Sequence, residues 1–339
     1  TMNALSKPLW ELADFADIKD SLNKKEICVS VSGCNDSQKV HMIQGMSDGF
    51  RMKIIATFSD RRVKELVEDL RLYERNVYSY PAKDLIFYQA DIHGNRLATE
   101  RIRTLRRIAD GLPLTIVTTF DALMNAQVPL RIFMEHILQI KKRGIIEESA
   151  LAASLVEMGY TRNYQVEEPG QFSIRGGIVD VFDLTEENPY RIELWGDEVD
   201  SIRFFETSSQ CSVEKVKQVW LVPGREFFLM PQCKEAGVRE IREQFSHQIE
   251  QLAKRKDREP LERLQGKVGE LLEKLQQGMY FTGLEQYQTF FYPEKASLLD
   301  YMGRELFVVL DEANRIQEAQ EYLEKERRQS FGELLLKGG

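Results

Sequence analysis

The chain has 339 residues, 42% of them hydrophobic, and 54 acidic side chains against 46 Lys and Arg, for a formal net charge of −8. A chain of this size buries a sizeable core and divides into two or three domains. Its acidic balance argues against duplex DNA as the main partner, since that binding rests on neutralising phosphates with Lys and Arg.

No apolar run approaches the ~18 residues needed to span a bilayer, and no signal-peptide core opens the chain. A soluble, cytoplasmic protein with no membrane partner is expected. Cys28, Cys34, Cys211 and Cys233 are too scattered for a disulfide framework or a CxxC pair. His41, His93, His136 and His247 lack metal-ligand spacing, so neither a metal nor a cofactor is expected. Thr1 ahead of Met2 reads as an added residue, and the Gly338-Gly339 end as a truncation.

In chain order, Trp10 to Leu22 has helical spacing of apolar residues, and Glu26 to Gly33 (EICVSVSG) reads as a buried strand. A loop and a helix follow, the order of a phosphate-binding P-loop, G-x-x-x-x-G-K-[ST]. Gly33 and Lys39 fit that pattern. Gln38 replaces the second glycine and puts a side chain where backbone must approach phosphate, and Val40 replaces the hydroxyl that would hold magnesium. The site is expected to be degenerate and inactive.

Lys53 to Thr57, Val77 to Tyr80 and Leu114 to Thr119 read as strands. Between them, Arg61 to Leu72 places Val63, Leu66, Val67 and Leu70 on one helical face, and Arg96 to Asp110 is a charged helix. This alternation predicts a doubly wound parallel sheet over residues 1–130. Phe120 to Met124 opens a short helix, and Glu147 to Met158 is an amphipathic one.

Two alternating runs follow, Phe172 to Phe182 and Tyr190 to Leu194, with a polar hairpin loop at 185–189. Phe172, Ile174, Ile178 and Leu194 are candidates for the inner face, and Gly176-Gly177 for a bulge or a close backbone approach. Residues 151–210 carry twelve carboxylates against Arg162, Arg175, Arg191 and Arg203, and no lysine. Arg without Lys is an interface composition, because the planar guanidinium forms bidentate pairs. The same arginines would also serve ordinary pairing with neighbouring carboxylates, so the residues alone leave both readings open.

The Val222-Pro223-Gly224 turn closes a second domain over 131–222. Lys234 to Gln277 reads as one or two solvated helices broken near Pro260, and the aromatic stretch Phe281 to Tyr292 as core packing or base stacking. Glu305 to Leu310 is a strand ending in Asp311-Glu312, the placement of a Walker B pair. That strand is expected to return to the first sheet, giving a third segment, 223–339.

The run Pro169 to Phe205 resembles a signature of the UvrB family and of the transcription-repair coupling factors. The shared positions are Gly170, Phe172, Arg175-Gly176, Val179 to Phe182, Arg191 and Glu193-Leu194-Trp195. Residues 185–189 and 296–301 tilt the likeness to the coupling factors. The resemblance implies an N-terminal UvrB-like module: a degenerate, RecA-like parallel-sheet α/β domain 1a/1b with an inserted mixed α/β domain 2.

It further implies a non-catalytic adaptor that recruits UvrA to lesions where RNA polymerase has stalled, in transcription-coupled nucleotide excision repair. By motif position the UvrA contacts fall on Arg162, Arg175, Arg191, Glu193 and Trp195. Ser173 departs from UvrB, where that strand carries another arginine. The resemblance also implies no room for a DNA-clamping hairpin between Asp84 and Arg96, and places RNA polymerase and double-stranded DNA among the partners of the full-length protein, whose ATP-driven translocase motor and polymerase-binding domain would lie C-terminal of this module. An alternative is a divergent ATPase or DNA-binding module using Lys39, Asp311 and Glu312.

Overall fold

The computed structural model describes residues 4–24, 28–83, 92–254, 258–281, 283–292, 294, 296–303 and 305–336. Its strands are β1 (Met52–Thr57), β2 (Val77–Tyr80), β3 (Leu114–Thr119), β4 (Leu138–Lys141), β5 (Thr161–Arg162), β6 (Gln171–Arg175), β7 (Ile178–Val181), β8 (Tyr190–Trp195), β9 (Glu198–Phe205), β10 (Ser212–Val216), β11 (Gln218–Leu221) and β12 (Leu306–Leu310). The chain forms two compact units. One comprises Thr1–Ala82, Asp110–Asn125 and Ser297–Lys325, and the other Lys83–Ala109, Ala126–Ala296 and Glu326–Gly339.

The first unit holds a four-stranded parallel sheet in the order β12-β1-β3-β2. β1 and β3 are buried almost throughout, as parallel strands covered on both faces must be. The helix Asp60–Leu70 starts where Ser59 Oγ accepts from Arg62 N at 3.3 Å, with Asp60 in its positive first turn. Its stripe of Val63, Leu66, Val67 and Leu70 is buried against Ile55 and Val117. Each of the four contributes roughly 2 kcal/mol. As expected, β12 returns to this sheet, pairing Leu306 to Leu310 with Met52 to Ala56.

Two expectations for this unit need correction. Cys28–Ser32 form no strand, and Val31 is exposed. After Val29 the run is interrupted by Ser30 and Ser32, and a parallel strand buried on both faces needs a longer continuous apolar series. Glu26 and Ile27 lie outside the described residues, as do Thr1, Met2, Gly338 and Gly339. The expected helix from Trp10 is a 3₁₀ segment, Ala4–Glu11 with Pro8 inside, and the α-helix begins only at Phe15.

The second unit is built on a six-stranded sheet, β10-β9-β8-β7-β6-β5, antiparallel except for the β5–β6 pair. β4 and β11 form a separate antiparallel ribbon. Phe172, Val179, Val181, Tyr190, Ile192, Val199 and Ile202 make one core with Leu151, Leu155 and Met158 of the helix Glu148–Glu157. Tyr160 locks this core to the chain that leaves it: its hydroxyl donates to Val222 O at 2.7 Å and Asp183 Oδ2 at 3.0 Å, and Val222 N donates to the same carboxylate at 2.7 Å. Burial pushes the Asp183 carboxyl up, although hydrogen bonds from Thr185, Val222 and Tyr160 oppose the shift.

Gly176 and Gly177 are a two-residue hairpin turn between β6 and β7, not a bulge, and the expected close backbone approach is that of Leu194 to Gly177, whose carbonyl accepts from Leu194 N at 2.7 Å. Both have positive φ, +57° and +81°, as a type I′ turn demands. The turn flips the parity of the core face, from Phe172 and Ile174 to Val179 and Val181. Ile178 therefore falls beside Arg175 on the opposite face, contrary to its expected inner position, while Leu194 packs inward after a register shift.

The expected boundaries at 130 and 222 differ from the compact units, because Lys83–Ala109 and residues 223–296 cluster with the inserted sheet. Buried Arg101, on the helix Ile92–Ala109, donates to Glu226 at 2.6 and 2.9 Å, and Arg103 Nε to Leu184 O at 2.6 Å. Phe291 and Tyr292 each pack 5.7 Å from Phe227, so this end of the aromatic stretch is core, while Phe281, Tyr287 and Phe290 are only partly buried. The charged run forms two helices, Pro231–Lys254 and Arg258–Gln276. Pro260 sits in the first turn of the second, where its missing N–H costs least; residues 255–257 lie outside the described set, as does most of the stretch from Asp84 to Arg96.

Candidate functional site

In the first unit, the residues expected to form a degenerate nucleotide site pair with one another. Gly33 is exposed with φ +83°. Beyond it, Asn35 Oδ1 accepts from Gln38 N and Gln38 Oε1 accepts from Asn35 N, both at 2.9 Å. This reciprocal capping box occupies amide groups that a P-loop would offer to phosphate. Val40 points into the core, 2% exposed.

Lys39 pairs with Glu312 and lies 3.7 Å from Asp36. The hydrogen bond to Glu312 raises the Lys39 pKa and depresses that of Glu312. Behind them Asp311, 4% exposed, accepts from Thr57 Oγ1 and Arg62 Nε, each at 3.0 Å. Arg62 Nη2 reaches on to Asp36 at 3.1 Å. The structure thus brings Lys39, Asp311 and Glu312 together, but as a closed ionic cluster tied off by Arg62, which the sequence reading missed.

A cavity of about 520 Å³ opens at the C-terminal ends of β1 and β3, lined by Ser59, Asp60, Phe120, Asp121, Arg315 and Tyr322 among others. Lys39, Asp311 and Glu312 do not line it.

In the second unit, register gathers four of the five expected contact residues on one face of the sheet. Ser173, Asp180, Arg191 and Arg203 form one row across β6 to β9, and Arg175, Ile178, Glu193 and Ser201 the next. Trp195 follows on that face beside the Gly196-Asp197 turn, 85% exposed. Arg162 stands apart: it is exposed on edge strand β5, in register with core-facing Phe172.

Three of the four arginines are engaged within the sheet. Asp180, 1% exposed, accepts from Arg191 Nε at 2.7 Å and Nη2 at 2.8 Å, and from Arg175 Nη2 at 2.9 Å. Arg191 also stacks 4.2 Å over Phe205, and its hydrogen bonds to Asp180 raise its pKa. Arg203 donates to Glu193 at 2.6 Å, holding that carboxyl below its ordinary range together with Ser201. The expected row of open guanidiniums is therefore not what the sheet presents. Arg191 is a largely covered strut, and the exposed members of the face are Trp195, half-exposed Arg175 and partly exposed Glu193.

Residues 138–227, which contain this sheet, match the model of the UvrB interaction domain. Over 336 residues, 95% of the chain, the sequence is 30% identical to the transcription-repair-coupling factor of Bacillus subtilis. The chain thus contains a region that matches the UvrB interaction domain and is similar over most of its length to part of the coupling factors. The corresponding proteins of Staphylococcus epidermidis and Staphylococcus aureus are 26% identical over 318 residues and 28% over 300, covering 91% and 86% of the chain. The module spans only about a quarter of the length of these relatives, from 25% to 28%. Among its described residues, no helix is long and apolar enough to cross a membrane.

Proposed function

We propose that this module is a docking adaptor in transcription-coupled nucleotide excision repair, which takes UvrA on the outer face of its six-stranded sheet and does no chemistry of its own. The observation that carries this reading is the coincidence of the UvrB interaction domain with a sheet face bearing an exposed Trp195, two residues beyond Glu193, and Arg175 in the same row as Glu193. Aromatic and Arg side chains are the residue types that dominate binding energy at protein interfaces. Arg191 acts from behind, holding Asp180 and through it Arg175. RNA polymerase and double-stranded DNA belong, on this reading, to other parts of the full-length protein.

The closed cluster at Lys39 supports the absence of nucleotide chemistry. Lysine, cap amides and both acidic residues already have partners, so a triphosphate would have to break several ion pairs to enter. Two measurements test the proposal: calorimetric titration of UvrA into the module, expected to give saturable binding that Arg175→Ala weakens, and ATP turnover by the module alone, expected at background. ATP hydrolysis abolished by Lys39→Ala would favour the divergent-ATPase alternative instead.

A further inference from the structure

The docking face has a second exposed aromatic that the sequence reading passed over. Tyr164, in the bend after β5, is 85% exposed, matching Trp195. The Arg175 guanidinium lies 6.0 Å from its ring centroid. Arg175 makes one hydrogen bond among the described residues, through Nη2 to Asp180. Its Nε and Nη1 protons therefore have no acceptor there, in contrast to Arg191, whose Nε and Nη2 are both held.

A guanidinium fixed by a buried carboxylate on one side and an aromatic ring on the other is already oriented before any partner arrives. Its unused donors call for an anionic acceptor, and a carboxylate next to a ring face is the protein group that satisfies both neighbours. We infer that Tyr164 and Arg175 together form a contact point separate from Trp195, which receives a carboxylate side chain of the docked protein and sets part of the module's specificity. This rests on the reading that the sheet face docks UvrA.

The test is biolayer interferometry of the module and its variants on immobilised UvrA. Tyr164→Ala is expected to weaken binding about tenfold, as loss of an interface aromatic does, while Tyr164→Phe binds like the parent and neither variant changes the melting temperature, since the side chain is exposed. The Tyr164→Ala and Arg175→Ala losses should be less than additive. Affinity should fall more steeply with salt for the parent than for Arg175→Ala, because an ion pair is screened; equal slopes would overturn the carboxylate. Unchanged binding by Tyr164→Ala alongside weakened binding by Trp195→Ala would remove Tyr164 and leave the docking face standing. Absence of UvrA binding by the parent would overturn both.

Discussion

The two units each carry a buried aspartate that gathers arginine, and they use it differently. Around Asp311 the cations close inward: Arg62 bridges Asp311 and Asp36, and Lys39 is capped by Glu312. Around Asp180, Arg191 is held through Nε and Nη2, while Arg175 makes a single bond on an exposed, aromatic-flanked edge. A buried carboxylate must be paired, because its desolvation is costly. What separates the two clusters is the company of the outermost cation: Lys39 sits between two further carboxylates, Glu312 and Asp36, whereas among the described residues Arg175 has beyond Asp180 only an aromatic ring.

The largest expected effects fall on the two aspartates. Asp311→Ala removes the buried partner of Arg62, whose side chain is 8% exposed and which keeps Asp36 and Glu65, and Asp180→Ala removes the carboxylate from Arg191, at 13%, which keeps Gln210. Each should cost about 3 kcal/mol in chemical denaturation, the low end for breaking a buried pair, because other partners remain. Only Asp180→Ala should also lower affinity for UvrA. Loss of UvrA binding in Asp311→Ala with its fold intact would break the distinction.

Glu226 provides a reference for both, a buried acid with Arg101 at 2.6 Å and Lys83 at 3.5 Å. Burial alone would raise its pKa, but Arg101 and then Lys83 bring it down to about 2. Because the folded-state value is depressed, its contribution is complete above the ordinary value of 4.5 and is lost as pH falls from there towards 2. Glu226→Gln should remove on the order of 3 kcal/mol at neutral pH and flatten the acid limb of the stability curve.

Trp195→Ala should cost about 2 kcal/mol of UvrA affinity and leave stability unchanged, as for an exposed interface anchor. Lys39→Ala should have the smallest effect, under about 1 kcal/mol, since its partner Glu312 is solvent-facing. The sign is set by both partners. Glu312 is depressed, so the pair weakens as pH falls below 4.5, and Lys39 is raised, so it persists until pH rises past 10.5.

Much of this contrast was written in the sequence, though not all of it legibly. Gln38 and Val40 mark the departure from the P-loop pattern by chemistry alone, but nothing in their spacing named Arg62, twenty-odd residues on, as the group that ties Asp311 down. The strand ending in Asp311-Glu312 was legible because five consecutive apolar residues fit a parallel strand. The run before Gly33 was not, because three consecutive apolar residues followed by serines fit a short strand and an exposed segment equally well. The Gly176-Gly177 turn left a readable trace, the shift of apolar residues from even to odd positions across it. Asp180 was visible as the one charge in Val179 to Val181, yet its two arginine partners come from strands whose register local pattern does not fix. Tyr164 gave no signal, since exposure of a single aromatic follows from the bend that carries it.

Hydrogen–deuterium exchange of the module with and without UvrA tests the central contrast most directly. The account predicts added protection confined to the segments around Tyr164, Arg175 and Glu193 to Glu198, with Asp36 to Ser47 and Asp311 to Ile316 unchanged on addition of either UvrA or ATP. Protection at the Lys39 and Asp311 segments on adding ATP, with none on the sheet face on adding UvrA, would contradict it.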